Sequence, residues 1–293
     1  MFYKLKDQLR RELFSRRVQF LLDTAPLVLG DSPAPAVLSQ LQHKDVLMYL
    51  AAIKSFAAHV PVSAVHVVDD GSLTQDDRRL LERHIPGIQF KALAECRDEN
   101  LPTGGTWERL IAIARLSENG YVIQLDADTL SLGRLDEVIQ ACRSNRSFAI
   151  GTWDRQVIEP VSECSNRARA ALAKTSPHVQ MLAEAHFDQL ANAASLRYVR
   201  GCSGFAGFAR GPDKLDLMYE LSRQLQSQLG QAWNRWGSEQ VMSNLVVANQ
   251  PDAMVLPHPD YADCEKMQPG RTRFVHFIGT CRFRGGRYAD MIR

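Results

Sequence analysis

Tyr121-Val122-Ile123-Gln124-Leu125-Asp126-Ala127-Asp128 is an apolar run that ends in two carboxylates, and its reading decides the fold. The run has the length of a buried strand. An extended backbone sends residues i and i+2 to the same side, so Asp126 and Asp128 converge while Ala127 packs the other way. Paired carboxylate oxygens suit a hard divalent cation, Mg²⁺ or Mn²⁺, better than zinc. A tripeptide this short also arises by chance, and two acids can simply end a strand in a solvated loop. The surrounding segments have to decide.

Outward from that run, strands and helices alternate, the pattern of a mostly parallel sheet. Gly30-Asp31-Ser32-Pro33-Ala34-Pro35 separates an N-terminal helical extension, residues 1–30, from one domain, residues 31–293. Ala36 to Leu41 reads as a strand, and Lys44 to Ala57 as a helix with Val46, Leu47, Leu50, Ile53 and Ala57 on one face. Val65 to Val68 is a second strand that ends in Asp69-Asp70-Gly71-Ser72, followed by a helix from Asp76 to His84 and a strand from Gly87 to Ala92. Thr103-Gly104-Gly105-Thr106 opens an amphipathic helix carrying Leu110, Ile111, Ile113 and Leu116, which feeds the Tyr121 strand. Further on, the pattern predicts a helix at Leu135 to Ser144 and a strand at Phe148 to Thr152. It then predicts a helix capped by Ser176 with Pro177 in its first turn, a strand from Arg197 to Arg210, and a helix from Lys214 to Leu229 closed by Gly230.

The fold class is therefore α/β, a single Rossmann-like, mostly parallel twisted sheet flanked by helices. Such sheets bind ligands beyond their strands' C-terminal ends, where Asp69-Asp70 and Asp126-Ala127-Asp128 both fall. Neither Gly-x-Gly-x-x-Gly nor Gly-x-x-x-x-Gly-Lys-Ser/Thr follows any strand, which disfavours dinucleotide dehydrogenases and P-loop enzymes.

Bulk properties narrow the classes further. The chain has 293 residues, 45% hydrophobic and 23% charged, an ordinary globular composition. A formal net charge of +2, without a basic run interleaved with aromatics, argues against nucleic acid as a partner. Cys96, Cys142, Cys164, Cys202, Cys264 and Cys281 form no Cys-x-x-Cys pair, so reduced thiols in a cytosol are expected. No stretch is long and apolar enough to span a bilayer, and no cleaved signal is recognisable, so a cytoplasmic location is expected. From Met1 to Asp23, Lys4, Lys6, Arg10, Arg11, Arg16 and Arg17 mix with Phe2, Leu5, Leu9, Leu13, Phe14, Val18 and Leu21 at near-helical spacing. This helix can dock on the protein's own body or on a subunit, or lie peripherally on the inner, anionic membrane surface; Asp7 and Glu12 dilute its charge.

Asp69-Asp70-Gly71-Ser72 after one strand and Asp126-Ala127-Asp128 after another resemble the nucleotide-sugar-binding half of GT-A fold glycosyltransferases, here residues 36–155. Residues 156–293 would then be the acceptor half. His276-Phe277-Ile278-Gly279-Thr280-Cys281-Arg282 is similar to the His-x-x-Gly-x-x-Lys signature of glycosyltransferase family 8, the retaining glycogenin-like and galactosyltransferase-like enzymes. The resemblance implies Mn²⁺ (or Mg²⁺) held by Asp126, Asp128 and His276. It implies a diphosphate contact from Arg282, which replaces the family's Lys and can clamp phosphate oxygens in bidentate fashion. The family's following Pro-Trp is replaced by Phe283-Arg284.

Glu239-Gln240-Val241-Met242-Ser243-Asn244 resembles the family's Asp-Gln-x-x-x-Asn, which places Glu239 and Gln240 beside the transferred sugar and acceptor. Cys202-Ser203-Gly204-Phe205 is similar to its Asn-Ala/Ser-Gly-Val strand, with Cys202 where the sugar-contacting Asn is expected. By the same resemblance Asp69 or Asp70 contacts the nucleoside; Arg109, one helical face from the Gly104-Gly105 loop, can reach the diphosphate, and Gln40, Ser203 and Gly279 are further candidates for the donor site. The implied activity is metal-dependent transfer of a hexose from a nucleotide-diphosphate sugar, a UDP-sugar by preference, to a glycan or other hydroxyl acceptor, retaining if family 8 is the guide, or inverting with Glu239 as general base on the more general GT-A reading. Residues 156–196 and the basic tail Arg282, Arg284, Arg287 and Arg293 would shape the acceptor site.

Plainer readings stand beside these. His276 between Val275 and Phe277 can be a core histidine, Glu239 a helix start after a Ser238 cap, and Arg109 a surface partner of Glu108 or Glu118. Two other functions fit in part: a sugar-1-phosphate nucleotidyltransferase, whose N-terminal Gly-rich phosphate loop is missing here, and a non-catalytic nucleotide-sugar-binding protein.

Overall fold

The computed structural model describes residues 2–31, 33–172 and 178–292. Seven strands form the central sheet: β1 (Ala36–Leu41), β2 (Ala64–Asp69), β3 (Gln89–Ala92), β4 (Val122–Leu125), then the later Phe148–Ile150, Cys202–Phe208 and Met254–Leu256. A short β5 (Thr129–Ser131) follows β4, so the later three are β6 (Phe148–Ile150), β9 (Cys202–Phe208) and β10 (Met254–Leu256), with a small ribbon of β7 (Glu159–Pro160) and β8 (Arg197–Tyr198) between. The spatial order is β10-β6-β9-β4-β1-β2-β3, and every pairing is parallel except those of β9, which runs against both neighbours. The expected α/β architecture with a mostly parallel sheet is the one observed.

Alternation along β1 splits the core in two. Leu38 packs on one face with Val68, Trp107, Leu110, Phe208 and Leu245. Val37 and Leu41 pack on the other with Tyr49, Ile53, Val65, Ile123 and Leu125. Helices α2 (Val46–Ala57), α3 (Gln75–His84), α4 (Trp107–Ser117), α5 (Asp136–Arg143), α8 (Lys214–Leu229) and α9 (Ser238–Ala248) flank the sheet, while α6 (Val161–Leu172) and α7 (Val179–Glu184) carry the chain from β7 to β8. Thr74 and Asp77 close a capping box on α3, and Gly230, with φ of 54°, ends α8 as its position predicts.

Because β9 is antiparallel, its first residues lie at the edge where β1, β2 and β4 end. A second small sheet brings the tail to that edge: β11 (Tyr261–Asp263) pairs in parallel with β12 (Phe274–His276), which runs antiparallel to β5. Its register sets His276 opposite Thr129, the residue after Asp128. Helix α1 (Phe2–Arg17) docks on this tail. Phe14 lies 5.0 Å from the Tyr288 ring and 5.6 Å from Phe283, and Arg11 reaches Asp45 at 2.9 Å. The expected docking of the N-terminal helix on the body is therefore present, while Leu9 and Leu13 stay exposed.

Several expectations need correction. The strand expected from Arg197 to Arg210 breaks at Val199-Arg200-Gly201 into β8 and β9; at the break, Gly201 is crowded by Ala149 and Asn244. Ser238 is the first helical residue of α9; the cap position belongs to Gly237, whose φ of 99° suits glycine. The cysteines are not all reduced, since Cys264 and Cys281 form a disulfide that joins the end of β11 to the residues after β12. The helix expected to start at Ser176-Pro177 falls outside the described residues there, and α7 is capped by His178. Among the described residues no helix is long and apolar enough to cross a membrane.

Candidate active site

The backbone after β4 is pinned before its side chains act. Asp126 N–H donates to the Gly204 carbonyl at 2.9 Å, Thr129 Oγ1 donates to the Asp126 carbonyl at 2.8 Å, and Phe277 N–H donates to the Asp128 carbonyl at 2.8 Å. These bonds tie β4, β9 and β12 at one point. There His276 Nε2 lies 3.2 Å from Asp128 Oδ1 and 3.8 Å from Asp126 Oδ2. One ligand atom from each of the three residues falls within 4.8 Å of the others. The imidazole rests against Gly204, where a Cβ would come within 2.1 Å of the ring, so only glycine admits it. Two carboxylates and one imidazole form a donor set that fits a hard or borderline divalent cation.

Two guanidiniums address the same acids. Arg282 pairs with Asp128 Oδ2, and Arg109 pairs with Asp126 Oδ1 and, at 3.1 Å, with Glu239. Burial alone would raise the Asp128 carboxyl, but His276 and Arg282 beside it pull it down to about 2. Burial would likewise lower His276, yet Cys202 and Asp128 outweigh it and hold the imidazole well above its ordinary range. Glu239 is raised by burial, against the opposing pull of Arg109 and Thr106.

The reading of Arg109 as a surface partner is corrected here. The residue is buried, and Glu108 is engaged elsewhere, accepting from Gly104 N–H at 3.1 Å and facing Arg97. Likewise His276 is buried but is no idle core histidine, since both ring nitrogens face polar partners.

These groups border a cavity of about 640 Å³. Gln40 lines it from β1 and Lys44 and Asp45 from the turn after it, with Ser203, Gln240 and Trp236 across it and Gly279 and Arg282 from the tail. Gln40 Oε1 is buried without a protein hydrogen-bond partner. Ser203 Oγ donates to Gln240 Oε1 at 3.2 Å.

No family model and no curated protein matches the chain in sequence. Its structure does resemble solved ones. An active-site mutant of LgtC superposes with a TM-score of 0.50 at 12% identity, covering 87% of this chain and 94% of that one. Mouse xyloside xylosyltransferase 1 gives 0.47 at 14%, covering 85% and 98%. The bifunctional glycosyltransferase WbbM gives 0.45 at 9%, covering 87% of this chain, which spans 47% of that longer protein. The chain has the GT-A fold.

Within this GT-A sheet the expected site residues divide. Asp126, Asp128, His276, Arg109, Arg282, Gln40, Ser203, Gln240 and Gly279 line the one cavity. Glu239 lies behind it, held by Arg109 and by Thr106 Oγ1 at 2.9 Å. Asp69 and Asp70 are not among the described residues that line it. Asp69 accepts from Gly71 and Leu73 N–H groups and pairs with Arg78, while Asp70 accepts from Ser72. Lys44, Asp45, Thr106 and Trp236 were not singled out as ligands. Their signal was positional only: the turns after β1 and before α4 and α9 all open on the same sheet edge.

Proposed function

We propose that this protein is a metal-dependent glycosyltransferase that moves a hexose from a nucleotide-diphosphate sugar, by preference a UDP-sugar, to a glycan or other hydroxyl acceptor. The observation that carries this reading is the meeting of Asp126 and Asp128 with His276, 148 positions beyond Asp128, in a cavity that Arg282 also lines. When bound there, Mn²⁺ or Mg²⁺ would neutralise charge on a leaving diphosphate. Asp126, Asp128 and His276 would hold that cation. Arg282, poised on Asp128, would turn to the diphosphate oxygens, where charge grows as the sugar–phosphate bond lengthens.

Gln40, with its unpartnered carbonyl, would orient the donor, together with Ser203 and Gly279. Gln240 would face the transferred sugar, positioned by Ser203. The burial of Glu239 and its pairing with Arg109 support a role in orienting Arg109 and Asp126 rather than in accepting the acceptor's proton. That favours the retaining course, in which a departing phosphate oxygen takes the proton. The likeness to family 8 in the His276 to Arg282 segment supports the same course.

Thermal shift and donor hydrolysis with UDP-, GDP- and dTDP-sugars, with and without Mn²⁺, test the reading. We expect one donor class to stabilise the protein and to be cleaved only with metal. Absence of both effects across the panel would sink the proposal, and release of pyrophosphate from a sugar-1-phosphate and a nucleotide triphosphate would replace it. NMR of the first product's anomeric form decides the stereochemistry.

A further inference from the structure

A histidine that serves a cation through one ring nitrogen must carry its proton on the other, and that second N–H needs an acceptor to keep the ring in place. Nε2 of His276 is the nitrogen that faces the carboxylates, at 3.2 Å from Asp128 and 3.8 Å from Asp126. Its Nδ1 meets the Cys202 sulfur at 3.0 Å. Cys202 is the first residue of β9 and pairs with Ile150 where the β6–β9 register shifts, which places its side chain on the cavity lining. Gly204, two residues on, leaves the space that the ring fills.

We infer that Cys202 is a positioning residue for His276: its Sγ accepts the Nδ1–H, fixing the tautomer and the rotation that turn Nε2 toward Asp126 and Asp128. The inference rests on the cation site of the proposed function and goes beyond it. The residue that the family resemblance assigns to the sugar acts here on the histidine. Sulfur is a weak hydrogen-bond acceptor, so its contribution lies in aiming the ring as much as in the bond. A hydroxyl at the same place can accept the same proton, whereas a methyl cannot.

The test is cation affinity in the intact chain, with Co²⁺ and Mn²⁺ as probes and titration calorimetry and the Co²⁺ visible spectrum as readouts. Cys202→Ala should weaken Co²⁺ binding by about tenfold or more, and Cys202→Ser should recover most of that loss. Circular dichroism and the unfolding midpoint of the cation-free variants should match wild type, showing that the fold is not what changed. Equal affinities in wild type and Cys202→Ala would overturn the inference and leave the proposed function standing. A sulfur-to-cobalt charge-transfer band in wild type would also overturn it, by making Cys202 a direct ligand. If wild type binds neither ion, the cation site itself fails, and the proposed function goes with it.

Discussion

The two halves of the candidate site are built by different means. Asp126 and Asp128 come from the middle of the sheet: all four residues of β4 are buried, and the strand is paired on both sides. His276 and Arg282 come from a three-residue strand and the turns after it. That tail is held by Phe277 stacked on Tyr288 at 4.1 Å, by Phe14 of α1, by the Cys264–Cys281 disulfide and by the Arg17 pair with Asp290. The acids thus belong to the cooperative core, whereas the imidazole and guanidinium sit on an appended clasp. The two should yield to mutation separately.

The largest expected effect comes from cutting the junction between them. Asp128→Asn removes a cation ligand and the partner of both His276 and Arg282; donor hydrolysis should fall by about 10³-fold while far-UV circular dichroism stays unchanged. Retained turnover would show that the two halves do not act as one site.

A change on the core side should instead appear as lost stability. Arg109→Met leaves the buried Glu239 carboxylate without its guanidinium, and breaking a buried pair costs about 3–5 kcal/mol. Urea unfolding checks this, and adding Glu239→Gln should return part of the loss, because the two residues share one interaction.

On the clasp side, Phe14→Ala should cost about 3 kcal/mol, the lower end for a buried phenylalanine, because its ring packs at the edge of the molecule. Hydrogen exchange should show the loss confined to residues 274–291, with β4 amides still protected and Mn²⁺ affinity reduced. Uniform loss of protection would merge the two halves into one cooperative unit.

The smallest effect is set by pH. In the cation-free protein the His276 imidazole holds its proton well above the ordinary range, so an incoming cation must displace it. Affinity should therefore rise with pH, by at most about tenfold per unit, and level off once the pH passes the raised pKa of the ring. His276→Ala should bind more weakly and lose that slope.

Much of the architecture was legible because it is local. Periodic apolar positions announced α2 and α4, and Gly230 announced the end of α8. Of the site, the convergence of Asp126 and Asp128 was readable from alternation, but their meaning had to come from the surrounding segments. Arg109 was not: a helix face is visible in sequence, but whether it meets solvent or the neighbouring α9 depends on how the helices stack on the sheet. The break in the strand expected from Arg197 to Arg210, where Ala149 and Asn244 crowd Gly201, was hidden as well. The role of Asp69 was equally opaque, because the Arg78 that pairs with it sits one helix away.

By itself, then, the sequence determined β1 to β4 and β6 and which of their ends carry acids, because backbone propensity and side-chain alternation act over a few residues. Only the tertiary structure decided that His276 meets Asp128 across 148 positions, that Cys264 finds Cys281, and that Cys202 faces an imidazole. Those pairings follow from the antiparallel register of β5 with β12, the parallel pairing of β11 with β12 and the reversed course of β9, and strand register is set by the packed whole rather than by any segment alone.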